Sequence, residues 1–285
     1  MGKPAVTVLI ALCITMAISM FSGSSYAITG NSQPDDTTSY VCVVVLFSDA
    51  ARTQPISIST GVLISPNVVL TAGHSVMGAS ASVCFDEGPL TYAVSAKGQI
   101  IYNTDQPIYN GAPMPYPEYK ASVLAGAKPS DALKTSDVGL IILDSPIKKA
   151  TTFANLPTSE QSDSLAVKTQ LQVIGYGVQY QTTPRGHDVN TWVGTIMRNS
   201  ATVELLSTDF EGSDNYLKCS ANSAQGKGGI AYGDSGGPLL CNLNGENIVL
   251  AVNAFVDNSN CAGVTYHTRV DNPDVLAWIN GYITR

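Results

Sequence analysis

The chain has 285 residues, 44% of them hydrophobic and only 13% charged, with a formal net charge of −7. That balance fits a filled core and excludes a disordered chain. The negative charge argues against nucleic acid or an anionic membrane as main partner, because both demand a basic face.

In chain order, the first expected element is a secretion signal. Lys3 supplies a positive n-region, Ala5 to Phe21 an apolar core, and Ser25-Tyr26-Ala27 a small-x-small cleavage site. An uncleaved membrane anchor is the alternative, against which the apolar run is short for a bilayer. Cleavage after Ala27 would make Ile28 the first mature residue. The Asp35-Asp36 pair reads as a solvated tail, with cation binding as the other option. Short apolar runs between Gly/Pro/Asn turns then predict strands over Tyr40 to Phe47, Val62 to Ile64, Val68 to Thr71, Ser82 to Phe85, Tyr92 to Ile101 and Val138 to Leu143. Asn103 to Pro117, rich in Pro, Tyr and Asn, reads as a surface loop. Ser145 to Gln161 reads as a connection. Further strands are predicted over Lys168 to Ile174, Asp188 to Met197, Tyr216 to Cys219, Pro238 to Asn242, Asn247 to Phe255 and Gly263 to Val270.

Three segments carry candidate chemistry. In Gly233-Asp234-Ser235-Gly236-Gly237-Pro238 a glycine-rich turn presents a serine whose hydroxyl and neighbouring amides can face one substrate atom. A nucleophilic serine needs a base for its proton and N–H donors for the oxyanion. Gly233 lets the backbone turn so that its amide and that of Ser235 form such a hole. His74 follows an apolar strand in Leu70-Thr71-Ala72-Gly73-His74. Asp137 heads another in Asp137-Val138-Gly139-Leu140, where a buried carboxylate can orient an imidazole and stabilise its charged form.

These motifs, in the order His, Asp, Ser, resemble those of the trypsin/chymotrypsin-like serine endopeptidases. Gly175-Tyr176-Gly177 resembles the opening of the family's second barrel, and Asp274 to Ile279 its C-terminal helix. The resemblance implies an all-β fold of two packed six-stranded antiparallel barrels with a short C-terminal helix. Residues 28–150 would form the first barrel, 151–270 the second and 271–285 the helix. It implies a secreted (extracellular or periplasmic) endopeptidase acting on protein or peptide substrates as a monomer, without cofactor, stable membrane association or nucleic acid. His74, Asp137 and Ser235 would be catalytic, with Gly233 and Ser235 as oxyanion donors. The freed amino group of Ile28 would pair with Asp234. A catalytically silent binding protein on the same fold is the competing reading.

Further transfers concern substrate choice and cysteines. Gly229 takes the place of the pocket-floor residue, where an aspartate would select Lys or Arg, and Phe255, Val256 and Thr265 would line the walls. Small apolar residues before the scissile bond are therefore expected. Ala254 replaces a serine that commonly supports the catalytic aspartate. After loss of Cys13, five cysteines remain, an odd number. Ser59 and Ser75 stand where the family has a bridge beside the histidine, and Cys42 with Cys84 is a plausible substitute; any pairing among Cys219, Cys241 and Cys261 stays open. No CxxC or His/Cys cluster suggests a metal. His187 reads as a solvated loop residue, and His267 as a strand residue with a possible specificity role.

Overall fold

The computed structural model describes residues 28–94, 100–127, 135–148, 152–182, 191–208 and 213–283. The expected signal peptide, 1–27, and His187 lie outside the described residues. The first described stretch forms β1 (Thr29–Gly30) and β2 (Gln33–Pro34). Thr29 pairs with Gly229, and Gln33–Pro34 with Asn199–Ser200. The N-terminal segment therefore lies on the second half of the chain before the first barrel begins.

The first barrel uses β3 (Val41–Phe47), β4 (Pro55–Ser65), β5 (Val68–Thr71) and β6 (Ser80–Cys84). A separate hairpin, β7 (Tyr92–Val94) and β8 (Ile100–Tyr102), precedes the last two barrel strands, β9 (Ile108–Pro115) and β10 (Gly139–Leu143). The barrel closes in the order β10-β5-β4-β3-β6-β9. All seven residues of β3 are buried because the strand is covered on both faces. Val41 and Val43 pack into one apolar cluster with the second barrel, while Cys42, Val44 and Leu46 pack into another with Leu63, Val69 and Ile141. Each such fully buried aliphatic side chain contributes roughly 1.5–3 kcal/mol.

Following α1 (Pro117–Leu124) and the connection, the second barrel comprises β11 (Gln170–Gly175), then β14 (Asn199–Ser207) after a hairpin of β12 (Tyr180–Thr182) and β13 (Thr191–Val193). It continues through β15 (Tyr216–Ala221), β17 (Pro238–Leu243), β18 (Glu246–Val256) and β19 (Gly263–Arg269), while the short β16 (Gly228–Gly229) pairs with β1 outside the barrel. The order is β11-β17-β18-β19-β15-β14, and β14 pairs back onto β11 to close it. The C-terminal helix α2 (Pro273–Ile283) buries Val275, Leu276 and Ile279. Two closed six-stranded antiparallel barrels with a C-terminal helix are thus the fold.

Five expectations need correction. Ile108–Pro115 is a barrel strand, not a loop: β6 pairs with residues 108–111 and β10 with 111–115, so Pro113 and Pro115 lie where only one side needs a ladder. The run predicted over Tyr92 to Ile101 is instead split into the β7–β8 hairpin. The strand predicted over Asp188 to Met197 is met only at Thr191–Val193, with residues 188–190 outside the described residues, and the barrel strand is Asn199–Ser207, whose alternation of buried and half-exposed residues is the stronger signal. Asp35 is no solvated tail residue but is buried, its carboxylate accepting from the Thr37 and Thr38 amides and lying 3.6 Å from Arg198. The cysteine bridge expected between Cys42 and Cys84 is also not formed. Val43 is the residue opposite Cys84, so Cys42 points to the other face, and all five described cysteines are buried free thiols.

Candidate active site

β5 and β10 run antiparallel with Thr71 opposite Gly139. The end of one strand therefore adjoins the start of the other. His74, three residues past β5, meets Asp137, two residues before β10. Asp137 Oδ2 lies 2.7 Å from His74 Nδ1, and its Oδ1 accepts the His74 backbone N–H at 2.8 Å. Both carboxylate oxygens are engaged, which fixes the imidazole's position and marks Nδ1 as the side facing the acid. Glycine at 73 is required for this contact. A Cβ there would lie 2.7 Å from the Tyr119 ring and 2.9 Å from Asp137 Oδ1.

Asp137 is buried, whereas the His74 side chain is 39% exposed, leaving its outer edge open to a substrate. Desolvation opposes protonation of His74, but the Asp137 charge and hydrogen bond outweigh it and raise the imidazole above its ordinary 6.5.

The serine turn packs against the same place from the second barrel. Gly233 (φ +100°) and Gly236 (φ +81°) are both in left-handed backbone regions, which an L side chain would strain. Thr60 of β4 donates its amide to the Ser235 carbonyl at 2.9 Å and its hydroxyl to the Gly233 carbonyl at 2.9 Å. That hydroxyl in turn accepts the Tyr176 amide at 3.0 Å. A first-barrel threonine thus ties the turn to both barrels. Among the described residues the Gly233 and Ser235 amides donate to no protein acceptor, and His74 makes no hydrogen bond to Ser235.

Asp234 is fully buried, and its carboxylate accepts the Gly177 and Ala231 amides at 2.8 Å each. Burial pushes its carboxyl up to about 7 against the pull of those two donors. Ile28 is buried in the second-barrel core beside Ile230, but among the described residues it makes no ion pair with Asp234. The physical reason is covalent: while residue 27 is attached, the Ile28 nitrogen is an uncharged amide.

Gly229 is buried, its carbonyl accepts the Thr29 hydroxyl at 3.1 Å, and a Cβ on it would lie 2.6 Å from Ala221 Cβ. Thr265 lies beside it, its methyl 3.6 Å from that hypothetical Cβ. Phe255 and Val256 are half-buried, and Phe255 stacks on Tyr266 with ring centroids 4.5 Å apart. His267 is fully buried and bonded to Thr265 and Asn253; burial takes its pKa down to about 3, so the ring is neutral at ordinary pH. Thr60 and Asn253 were not singled out from the sequence. Asn253 was detectable as the one polar residue in the apolar run Val249 to Val256.

The two-barrel fold and a paired histidine and aspartate beside a glycine-bound serine define the class of trypsin-like serine endopeptidases. The trypsin family model matches residues 28–279, and the chain belongs to that family. It is a serine-type endopeptidase. It is 27% identical over 213 residues to venom plasminogen activator Haly-PA of Gloydius brevicauda, covering 73% of this chain and 70% of that protein. It is 28% identical over 200 residues to snake venom serine proteinase 14 of Crotalus adamanteus, covering 68% of this chain and 66% of that protein. Among solved structures, HL collagenase superposes with a TM-score of 0.62 at 17% identity, covering 92% of this chain and 98% of that one. The structure named HBP superposes with 0.60 at 18% identity, covering 93% and 97%.

Proposed function

We propose that this protein is a secreted endopeptidase in which Ser235 attacks the peptide carbonyl, His74 takes its proton and passes it to the leaving amine, and Asp137 orients His74. The Gly233 and Ser235 amides hold the oxyanion, and water then hydrolyses the acyl-enzyme with His74 as base. The observation that carries this reading is the two-point contact of Asp137 with His74, at 2.7 and 2.8 Å. A silent binding protein would have no need to hold an imidazole with one edge open and the other fixed by a buried acid. Net charge −7 also disfavours a polyanion as ligand.

Substrates with small or medium apolar residues before the scissile bond are preferred, and Lys or Arg are disfavoured. A buried cation without a carboxylate partner loses several kcal/mol of hydration, and Gly229 offers neither charge nor space for one. The test joins fluorophosphonate labelling to cleavage of a mixed peptide library. The parent is expected to label and cleave after Ala or Val, and Ser235→Ala to do neither. Equal labelling of both proteins would sink the assignment; dominant cleavage after Lys or Arg would sink the specificity.

Activation follows from removal of residues 1–27. The new Ile28 ammonium would neutralise Asp234, whose buried carboxylate has no cation partner among the described residues, and hold the Gly233–Ser235 turn in its oxyanion-binding form. Burial of Ile28 and the pairing of Thr29 with Gly229 support this insertion. One extra residue before Ile28 is expected to leave a folded protein with little activity. Full activity of the extended form, with its mass confirmed, would count against the mechanism.

A further inference from the structure

Asn253 lies in the middle of β18 with no exposed surface, a polar group whose burial is costly unless its bonding capacity is used. Its Nδ2 donates to two carbonyls, those of Asp234 at 3.1 Å and Ile174 at 3.2 Å. Two acceptors on one end settle which end is the NH2 group. Oδ1 is therefore the acceptor that lies 2.9 Å from His267 Nδ1, so Nδ1 carries the proton. In that tautomer Nε2 is an acceptor, and it receives the Thr265 hydroxyl at 2.8 Å. The main chain of Asn253 holds the same turn: its carbonyl accepts the Gly236 amide and its amide donates to the Gly237 carbonyl, both at 2.8 Å. Residues 234, 236 and 237, on either side of Ser235, are thus all bonded to Asn253.

We propose that His267 and Asn253 are positioning residues for the nucleophile. The directed chain Thr265 Oγ1–H to His267 Nε2, His267 Nδ1–H to Asn253 Oδ1, and Asn253 Nδ2–H to the Asp234 carbonyl fixes the turn that carries Ser235. The three side chains are all fully buried, so no water competes for these bonds. The Thr265 methyl beside Gly229 connects the far end of the chain to the proposed pocket floor. This inference rests on Ser235 being the nucleophile.

Two amide replacements test it. The His267→Asn side chain places an NH2 group where Nδ1 stands, whereas His267→Gln reaches the Nε2 position and leaves Asn253 Oδ1 without its donor. His267→Asn is expected to keep kcat and the rate of fluorophosphonate labelling within about threefold of the parent, and His267→Gln to lose about 10–100-fold in both with KM little changed, as a small misplacement does. Ser235→Ala run alongside separates the two readings: if it labels like the parent, Ser235 is not the nucleophile and there is nothing to position. With Ser235→Ala silent, equal rates for the two His267 variants would overturn the relay alone. Nitrogen NMR of His267 in the unmodified protein gives a check independent of folding of the variants. The Nδ1–H tautomer supports the relay, and the Nε2–H tautomer or an imidazolium overturns it.

Discussion

His74 carries the pH dependence expected of the site. In its proposed role as base it must be neutral, and its pKa is raised above 6.5 through Asp137 despite the opposing desolvation. The acid limb of kcat/KM should therefore lie above pH 6.5, with activity lost as pH falls through it. Asp137→Asn removes the charge and reverses the tautomer preference, so the limb should move down while kcat drops on the order of 10⁴-fold. An unchanged limb in the pH profile of this variant would remove Asp137 from the role. At this scale the three candidate residues were legible, because their motifs are local strings. The support from Thr60 and Asn253 was not, because nothing in a strand sequence states which carbonyls of a distant turn its side chains will meet.

Strands decide the fate of the cysteines. The alternation of side chains along β3 sends Cys42 into the first-barrel interior and Val43 to the face that Cys84 shares. A bridge between them would require turning one strand over. Titration of the mature protein with a thiol reagent in denaturant is expected to count five thiols; a count of three with Cys42 and Cys84 protected would contradict the register. The same scale explains the misread strands. β9 holds its place through backbone pairing with β6 and β10 although only two of its eight residues are buried and two are proline, so composition pointed to a loop. In β3, by contrast, seven consecutive buried apolar residues made the strand evident from the chain alone.

Across the whole molecule, the two barrels meet at a buried cation. Arg198 precedes β14, yet its Nη1 donates to the carbonyls of Val41 and Phe85 in or beside the first barrel, at 3.4 Å each. Its Nε donates to the Asp35 carbonyl at 3.0 Å, and Tyr176 Oη donates to the Asp86 carbonyl at 2.7 Å from the same junction. Removing one partner of a buried ion pair strands the other. Arg198→Ala is expected to cost about 3–5 kcal/mol, seen as a lower urea midpoint with an unchanged slope. A midpoint equal to the parent's would show that the barrels are held by apolar packing alone.

Chemistry and chain order came from local strings: a histidine after one strand, an aspartate before another, a serine in a glycine turn, and the periodicity of apolar residues that makes strands. These depend on neighbours within a few positions, which a sequence displays. Pairing partners across hundreds of residues were decided in three dimensions. Barrel closure set which strands needed no side-chain signal, strand facing kept Cys42 from Cys84, and the meeting of β18 with the serine turn gave the lone asparagine of an apolar run its bonding partners. Such contacts arise from the register of distant backbones, and register is a property of the folded whole.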